Sequence, residues 1–347
     1  MASLEELREQ LDQIDDKIAE LYEERMEVCA RVGEYKIQAG RKVFDRQREK
    51  EKLADVASKV KGEFNRKGIQ ELYQQLMSMS RKLQYQQLVA AGALGRLPFI
   101  QVDSLDKKNA RVVFQAMEAI EEGSADYAVL PIENSSAGPV NEMYDLLDEF
   151  ENYIVAETIL PVVHTLSGLP GAKISDIQRV YSKAEALMQT SRFLEDHSDW
   201  QKISVVNTAI AAKKVLKEQD ITQGAVCSAY AAKVHGLSVL VEGINDDPDN
   251  CTRFIVVTNQ KIYLKNASKI SIRFELPHQS GSLYGILSHF IYNDLNMTKI
   301  ESRPIKGKQW EYRFFVDFEG NMEDGAVKNA IRGLREETRN LKILGNY

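Results

Sequence analysis

Within residues 3–84, the stretch from Leu4 to Tyr35 carries apolar side chains at alternating steps of three and four, which is the pattern of a helix with one apolar face. Ser3 and Glu6 form a capping-box pattern, so we expect this helix to begin almost at once. A second helix is predicted to begin near Phe44, and a third to cover roughly 66–90. The apolar positions of the first helix, which we call the seam, are Leu4, Leu7, Leu11, Ile14, Ile18, Leu21, Val28, Val32 and Tyr35.

One position of the seam is charged. The residue four after Leu21 and three before Val28 should be apolar, but it is Arg25. Lys36 lies about 20° away around a helix of 3.6 residues per turn, so it shares that face. A buried guanidinium costs several kcal/mol unless an anion meets it. The two cations predict either a bound dianion or a buried ion pair with a carboxylate of the same chain, and alone they leave both open.

The next two helices repeat this anomaly. Polar residues stand where the helices would pack together, which favours the bound dianion. This region has no histidine, and Cys29 has no histidine nearby in sequence, so neither a metal site nor a nucleophile is indicated. The polar residues are Asp45, Arg48 and Glu49 at the start of the second helix, and Ser80 and Gln84, four apart on one face of the third.

With its long, short and long helices, region 3–90 resembles the all-helical class of chorismate mutase. The resemblance implies an intertwined dimer in which Arg8 reaches into the site of the partner. A seam of this length would then exist because a second chain covers it. The matching positions are Arg8, Arg25, Lys36, Asp45, Arg48, Glu49, Ser80 and Gln84.

The resemblance implies the rearrangement of chorismate to prephenate, a pericyclic reaction that needs no nucleophile or proton relay. The protein must hold a flexible dianion in its reactive conformer and stabilise charge on the breaking ether oxygen. By resemblance, the two carboxylates of the substrate bind Arg8, Arg25 and Arg48, with help from Ser80. The ether oxygen accepts hydrogen bonds from Lys36 and Gln84. The ring hydroxyl donates to Glu49, with Asp45 behind it.

Composition narrows the class of protein. At 347 residues the chain has room for two or three domains. A hydrophobic content of 44% and a mean hydropathy of −0.35 are typical of a soluble protein, and no run approaches the ~18 apolar residues of a membrane span. We expect no signal region, no nucleic-acid partner at a net charge of −6, and no cofactor or metal. Cys29, Cys227 and Cys251 lack metal or redox spacing, which favours the cytoplasm.

Residues 91–110 mix glycine, proline and charge and are interpreted as a linker. Over 111–260, short β-rich runs alternate with helices, as in an α/β domain. Asn207 and Ser228 are placed to cap two of these helices. The candidate strands are 110–114, 126–131, 153–163, 177–182, 203–206, 224–227 and 251–258, and the candidate helices are 116–123, 139–149, 184–196, 208–218 and 228–235.

Polar corners at strand ends in this region could bind an anion, although caps and turns usually account for such residues. In order, they resemble prephenate dehydratase in the runs ADYAVLPIENSSAG (125–138), VYSKAEALMQTSRFL (180–194), NTA (207–209) and CTRF (251–254). The resemblance implies a two-lobed periplasmic-binding-like α/β fold. After an N-terminal mutase, it implies the bifunctional family that makes phenylpyruvate.

By resemblance, Thr252 acts in expelling the hydroxyl of prephenate with loss of carboxylate. A threonine is a weak acid, so a dry, hydrogen-bonded pocket must orient it. The other positions implied are Asn134, Ser182 and Gln189, which line the site, and Asn207 and Thr208, which support it.

Two departures from the dehydratase pattern stand out. Ser182 is followed by Lys183-Ala184-Glu185 where the family has His-Pro-Gln. A Gly-rich turn, helix and strand are missing at 115–116, where a strand pattern runs directly into a helix pattern. We therefore expect a partly deleted dehydratase with impaired activity. The alternative is a chorismate mutase only, whose degenerate second domain is a scaffold or relay. A helical interaction protein without catalysis would not explain the set of cations.

The region 268–347 predicts a ferredoxin-like βαββαβ order. It resembles an ACT regulatory domain of the phenylalanine-binding kind, in Gly281-Ser282-Leu283 and in Glu301-Ser302-Arg303-Pro304. Phenylalanine would bind between two such domains and act by feedback. The alternative is structural: Gly281 only permits the turn and Arg303 only pairs with Glu301. The resemblance also implies a homodimer or higher homo-oligomer.

Overall fold

The computed structural model describes residues 3–92, 99–105, 110–114 and 117–347. The helices are α1 (Leu4–Gln38), α2 (Arg46–Ser58), α3 (Glu63–Ala90), α4 (Glu118–Glu121), α5 (Asn141–Glu149), α6 (Ala184–Met188), α7 (Ser191–Glu195), α8 (Thr208–Glu218), α9 (Ala229–Val234), α10 (Ser282–Ile291) and α11 (Gly325–Glu337).

The strands complete the element order. They are β1 (Ile100–Val102), β2 (Val112–Phe114), β3 (Tyr127–Asn134), β4 (Gly138–Pro139), β5 (Tyr153–Pro161), β6 (Thr165–Gly168), β7 (Arg179–Ser182), β8 (Gln201–Ser204), β9 (Gln223–Cys227), β10 (Ser238–Glu242), β11 (Cys251–Thr258), β12 (Ile262–Leu264), β13 (Lys269–Glu275), β14 (Met297–Pro304), β15 (Tyr312–Glu319) and β16 (Arg339–Asn346).

The three predicted N-terminal helices are present. The capping box of α1 is confirmed, because the Glu6 amide donates to Ser3 Oγ and the Ser3 amide to Glu6. Asp45 is the N-cap of α2 and accepts from the Arg48 amide at 3.0 Å. Gly33 of α1 makes room for a side chain of α3, because an added Cβ would lie 2.0 Å from Gln87 Oε1.

The seam is exposed in the single chain, where the sequence pattern predicts burial. Its nine side chains retain 41–64% of their accessible surface. With 35 residues, α1 is about 52 Å long, and only the face carrying Cys29, Gly33 and Ile37 is turned inward. Within one chain the seam therefore has no cover among the described residues.

The chain divides into two compact units, and the N-terminal helices share the first with residues 147–155 and 258–347. The predicted βαββαβ order is confirmed over β13–β16, with sheet order β14-β15-β13-β16. Its core is built from apolar side chains such as Ile270, Phe274, Phe290 and Leu334. Part of the predicted linker forms β1, which pairs in parallel with β12.

The second unit covers 112–146 and 156–257. One of its sheets has the order β10-β6-β9-β7-β8, and β3 lies between β11 and β2. Three strands of this unit, β4, β6 and β10, are not among the strands predicted from the sequence. The side chains of β6, Thr-Leu-Ser-Gly, are small and mostly polar, yet all four residues are buried, so no alternation marks the strand.

Local features of this unit follow from side-chain hydrogen bonds. The caps Asn207 and Ser228 are confirmed. The predicted helix 184–196 is wrong as one helix, because it breaks into α6 and α7 at Gln189 and Thr190, where Thr190 Oγ1 donates back to the Ala186 carbonyl. The junction at 115–116 lies outside the described residues. No helix among the described residues has the length and apolar character needed to cross a membrane.

Candidate active sites

A cavity of about 260 Å³ lies among α1, α2 and α3, and we call it the helical cavity. Seven of the eight residues predicted for this region line it, and Arg8 does not. The lining residues are Arg25, Cys29, Lys36, Val43, Asp45, Arg48, Glu49, Lys52, Met77, Ser80, Arg81 and Gln84.

Arg25 is half-buried and oriented by α3. Its Nη1 donates to Ser80 Oγ at 2.6 Å and to the Leu76 carbonyl at 3.2 Å. Ser80 Oγ in turn donates to the same carbonyl at 2.7 Å. Among the described residues Arg25 makes no ion pair with a carboxylate, so the guanidinium is fixed in place while its charge stays available.

Lys36 and Gln84 form the second polar pair of the helical cavity. Lys36 Nζ donates to the Val43 carbonyl at 2.6 Å and to Gln84 Oε1 at 3.2 Å. Burial lowers the pKa of Lys36, against the nearby carboxylates of Asp45, Glu336 and Glu49. Because Gln84 accepts through its oxygen, its amide nitrogen is left to donate to a ligand.

The charge of the helical cavity is positive. Among the described residues, Arg25, Lys36 and Arg48 line it without a salt bridge. The other two lining cations are paired, Arg81 with Glu49 and Glu337 and Lys52 with Asp55. Arg48 is exposed and, in the part of the chain that the structure describes, makes no salt bridge. The cavity therefore suits a small molecule with two negative charges.

Sequence reasoning missed five lining residues. Lys52 had a signal, because it lies four residues after Arg48 on one face of α2. Arg81 had none, because its partners Glu49 and Glu337 belong to other elements. Cys29, Val43 and Met77 supply ordinary apolar wall.

A second polar cluster lies in the second unit, around Asn134 at the end of β3. Asn134 Nδ2 donates to Thr252 Oγ1 at 3.0 Å and to Asn250 Oδ1 at 2.8 Å. Its Oδ1 accepts from the Ser136 and Ala137 amides, which fixes the amide orientation. Thr252 Oγ1 thus accepts a hydrogen bond, and its own hydrogen remains free to donate.

Beside this cluster lies a cavity of about 290 Å³. Gln189 lines it, and Gln189 Oε1 lies 2.9 Å from His164 Nε2, so the side chain is held. Asn250 lines it as well, and Asn250 Nδ2 is buried without a hydrogen-bond partner in the described part of the chain. The full lining is Ser136, Ala137, Glu185, Met188, Gln189, Asp246, Asp247 and Asn250.

Three other predicted residues are not part of that hydrogen-bonded cluster. Ser182 is fully buried and donates to the Val226 carbonyl at 2.6 Å. Asn207 caps α8 by accepting from the Ile210 amide, and Thr208 is the first residue of that helix. The changed neighbours of Ser182 pair with each other, since Lys183 and Glu185 form an exposed salt bridge.

The predicted effector residues lie on two elements of the first unit. Gly281 has φ +77° and precedes α10, and Ser282 Oγ donates to the Pro277 and Gln279 carbonyls at 3.0 and 2.8 Å. Leu283 packs against the core. Glu301, Ser302, Arg303 and Pro304 end β14, with Glu301 and Arg303 on its half-buried face and Ser302 and Pro304 on its exposed one.

Comparison with known proteins identifies the chain. Its residues 7–85 match the family model for chorismate mutase type II, and residues 98–262 match that for prephenate dehydratase. A bifunctional chorismate mutase/prephenate dehydratase of Aquifex aeolicus is 34% identical, with 100% of this chain and 98% of the relative covered. The chain belongs to the bifunctional chorismate mutase/prephenate dehydratase family. The predicted helical mutase region and periplasmic-binding-like dehydratase region are confirmed.

Two solved structures show similarity over part of the chain. A prephenate dehydratase from Arthrobacter aurescens in complex with L-Phe is 32% identical, with a TM-score of 0.61 over 67% of this chain and 77% of that one. A structure described as a novel type of quorum-quenching acylase is 29% identical, with a TM-score of 0.61 over 67% and 86%. As a member of the bifunctional family, the chain is an isomerase and a lyase, acting from chorismate through prephenate to phenylpyruvate.

Proposed function

We propose that the helical cavity is the mutase site and binds chorismate as a dianion. The main support for the proposal is that seven of the predicted residues line one cavity. Among the described residues, Arg25 and Arg48 of this cavity have no carboxylate partner. A bound anion would compensate the half-buried charge of Arg25, and the exposed Arg48 adds a second cation to the same cavity. A guanidinium fork also fits a carboxylate better than an ammonium does.

Each residue then has one task in the rearrangement. Arg25, fixed by Ser80 and the Leu76 carbonyl, and Arg48 bind the carboxylates and hold the substrate in its compact conformer. Lys36 and Gln84 donate to the ether oxygen, where negative charge grows as the bond breaks. Glu49 accepts from the ring hydroxyl, with Asp45 behind it. Because the rearrangement only breaks and forms bonds within one substrate molecule, it requires no proton transfer.

The complete mutase site is proposed to need a second copy of the chain. Arg8 lies 17 residues before Arg25 on α1, which is about 26 Å along the helix, so it does not reach the cavity of its own chain. The exposed seam offers the surface on which a partner would pack. In an intertwined dimer the seam is covered, and Arg8 of the partner subunit joins the carboxylate-binding groups.

Ile18→Glu is expected to break this dimer. A carboxylate in the middle of the seam would be buried without a partner on association, which costs several kcal/mol. Sedimentation velocity should show the mass fall to that of one chain, and mutase kcat/KM should fall at least about tenfold. Gln13→Glu, which adds the same charge elsewhere on the exposed surface of α1, should change neither. A wild-type chain that sediments as a monomer with full mutase activity would contradict the dimer.

We assign the second reaction to the cluster around Thr252. Because Thr252 Oγ1 accepts from Asn134, its hydrogen can donate to the leaving hydroxyl of prephenate as the carboxylate departs. Gln189 lines the adjoining cavity. For Ser182, Asn207 and Thr208 we propose a supporting role, Ser182 through its hydrogen bond to the Val226 carbonyl and the other two at the start of α8.

One observation favours a second candidate, a mutase with a degenerate dehydratase domain that is a scaffold or relay. The alignment with the Aquifex aeolicus relative has 361 positions, 14 more than the residues of this chain, so the relative carries residues without a counterpart here. The departure at 115–116 is the place where we expect them. A coupled assay for phenylpyruvate from prephenate decides between the candidates.

The domain division we propose is mutase 1–90, linker 91–110, dehydratase 111–260 and ACT domain 268–347. The βαββαβ order, the left-handed Gly281 before α10 and the relative crystallised with L-Phe support an ACT domain that binds phenylalanine. The zwitterion would be met by backbone groups near 281–283, between two such domains. Feedback is then a coupling free energy between this site and the catalytic sites.

L-phenylalanine at millimolar concentration is expected to release or absorb heat in calorimetry and to raise the melting temperature of the full chain. Gly281→Val should abolish both effects, because a side chain strains the backbone at φ +77° in the turn that holds the ligand. Gly307→Val is the matched control, since Gly307 has φ +81° in another turn of the same region. Wild-type chain that shows neither heat nor stabilisation would refute the effector site.

A further inference from the structure

The helical cavity shares a wall with a second cavity. Glu49 and Arg81 line the helical cavity, and both also line a cavity of about 220 Å³ beside the turn at 279–285. The remaining wall of this second cavity comes from α3, through residues such as Ser78, and from that turn, through Gly281 and Ser282. The turn at 279–285 and the proposed mutase site are therefore separated only by the shared side chains of Glu49 and Arg81.

Arg81 is the side chain between them. It keeps only 12% of its surface, and its guanidinium forms a salt bridge with Glu49. On its other side it binds Glu337 of α11 in a bidentate way, with Nε at 2.8 Å and Nη2 at 3.2 Å from the carboxylate oxygens. The ring of Phe44 lies 5.1 Å from the guanidinium carbon. Two carboxylates and a ring thus fix Arg81 in one orientation.

Glu337 lies against His289 of the same C-terminal region. The His289 ring nitrogen Nε2 lies 3.2 Å from Glu337 Oε1, and His289 is 1% exposed. The ring sits directly on Gly333 of α11, where an added Cβ would lie 2.3 Å from it. Burial raises the pKa of Glu337, but His289 and Arg81 outweigh it and lower the pKa to about 2, so the carboxylate stays charged.

Further contacts join α3 to the same two helices. Lys82 Nζ donates to Ser288 Oγ of α10 at 3.1 Å and lies 3.4 Å from the ring centre of Tyr292. The Phe44 amide donates to Glu336 of α11 at 3.1 Å. The start of α2 and the middle of α3, which carry the mutase residues, are therefore held by α10 and α11.

We propose that Arg81 is a positioning residue for the mutase reaction, held by Glu337 so that the place of the Glu49 carboxylate depends on the C-terminal βαββαβ region. The proposal rests on the proposed mutase site and adds a residue and a route to it. Because Arg81 is already paired with two carboxylates, we expect it to orient Glu49 rather than to bind the substrate directly. Without Glu337, Arg81 would turn fully to Glu49 and take the acceptor that the ring hydroxyl of chorismate needs.

The test measures mutase kinetics of the full chain carrying Glu337→Gln. No bond to the ring hydroxyl forms or breaks in the rearrangement, so we expect its contact with Glu49 to contribute about equally to ground-state and transition-state binding. We expect KM for chorismate to rise about tenfold with kcat within threefold. A general loosening of the fold would instead lower kcat through the fraction of active protein and leave KM in place.

Glu275→Gln is the matched control. Glu275 is a buried carboxylate of the same C-terminal region that pairs with an arginine, Arg313, but does not line the helical cavity. Its KM should stay within twofold of wild type. An unchanged KM in Glu337→Gln, or an equal rise in both variants, would overturn the proposal.

Two further variants complete the design. Arg81→Lys keeps the positive charge but loses the bidentate hydrogen bonding of the guanidinium, so its KM should lie between those of the wild type and Arg81→Gln. This series replaces Glu337→Gln as the test if Glu337→Gln does not fold. Equal KM values across the series would also overturn the proposal. Arg48→Ala tests the site itself: if it retains turnover, the proposed function fails, whereas its loss together with a normal Glu337→Gln refutes only the positioning role.

Discussion

Lys36→Ala is expected to lower mutase kcat about 10²–10³-fold, because it removes a donor to the oxygen on which charge develops. Arg48→Ala should abolish turnover, because it removes a guanidinium that we propose binds a carboxylate of the substrate. Both residues are only half-buried or exposed, so the helical circular dichroism should not change. The measurement is the loss of chorismate with time, on full chains matched in concentration.

The control for this prediction is Lys59→Ala. Lys59 is a cation that follows α2 directly, 63% exposed and paired with Asp55, and it does not line the helical cavity. Its loss should leave turnover within about twofold of wild type, as for most surface substitutions. Near-wild-type turnover of Lys36→Ala or Arg48→Ala would remove the assignment of the site.

Thr252→Val is expected to lower dehydratase kcat about 10²–10⁴-fold, because the variant keeps the shape of the side chain but loses the donor to the leaving hydroxyl. The mutase step should be unchanged. The measurement is phenylpyruvate formed from added prephenate. Thr258→Val, which removes a hydroxyl at the far end of the same strand, should retain activity.

The same assay on the wild-type chain separates the two candidate functions. Phenylpyruvate formation at a rate comparable with the mutase step would show an intact dehydratase and defeat the expectation of impaired activity. Formation at the rate of Thr252→Val would support the mutase with a degenerate second domain. The hydrogen bond from Asn134 to Thr252 predicts that Asn134 variants follow Thr252→Val in this assay.

Most residues of the helical cavity could be predicted from the sequence, because the spacing of residues along a helix determines which of them share a face. Arg25 and Lys36 on one helix, and Ser80 and Gln84 on another, are fixed relative to their helix axes once the helices are recognised. The capping residues Ser3, Asn207 and Ser228 were readable for the same local reason.

What the sequence did not show depends on contacts between distant segments. The pair of Arg81 with Glu337 joins residues 256 positions apart, and nothing near either residue marks the other. Strand β6 escaped because a strand buried on both faces has no alternating pattern. The exposed seam was readable as apolar, but no other part of the described chain covers it.

Arg25 and its neighbouring cations are proposed to bind a doubly charged substrate. The most direct measurement compares the loss of chorismate catalysed by the full chain and by its Arg25→Ala variant. We predict ready turnover by the wild type and a loss of about 10³-fold in kcat/KM for the variant. Equal turnover by the two proteins would contradict the account.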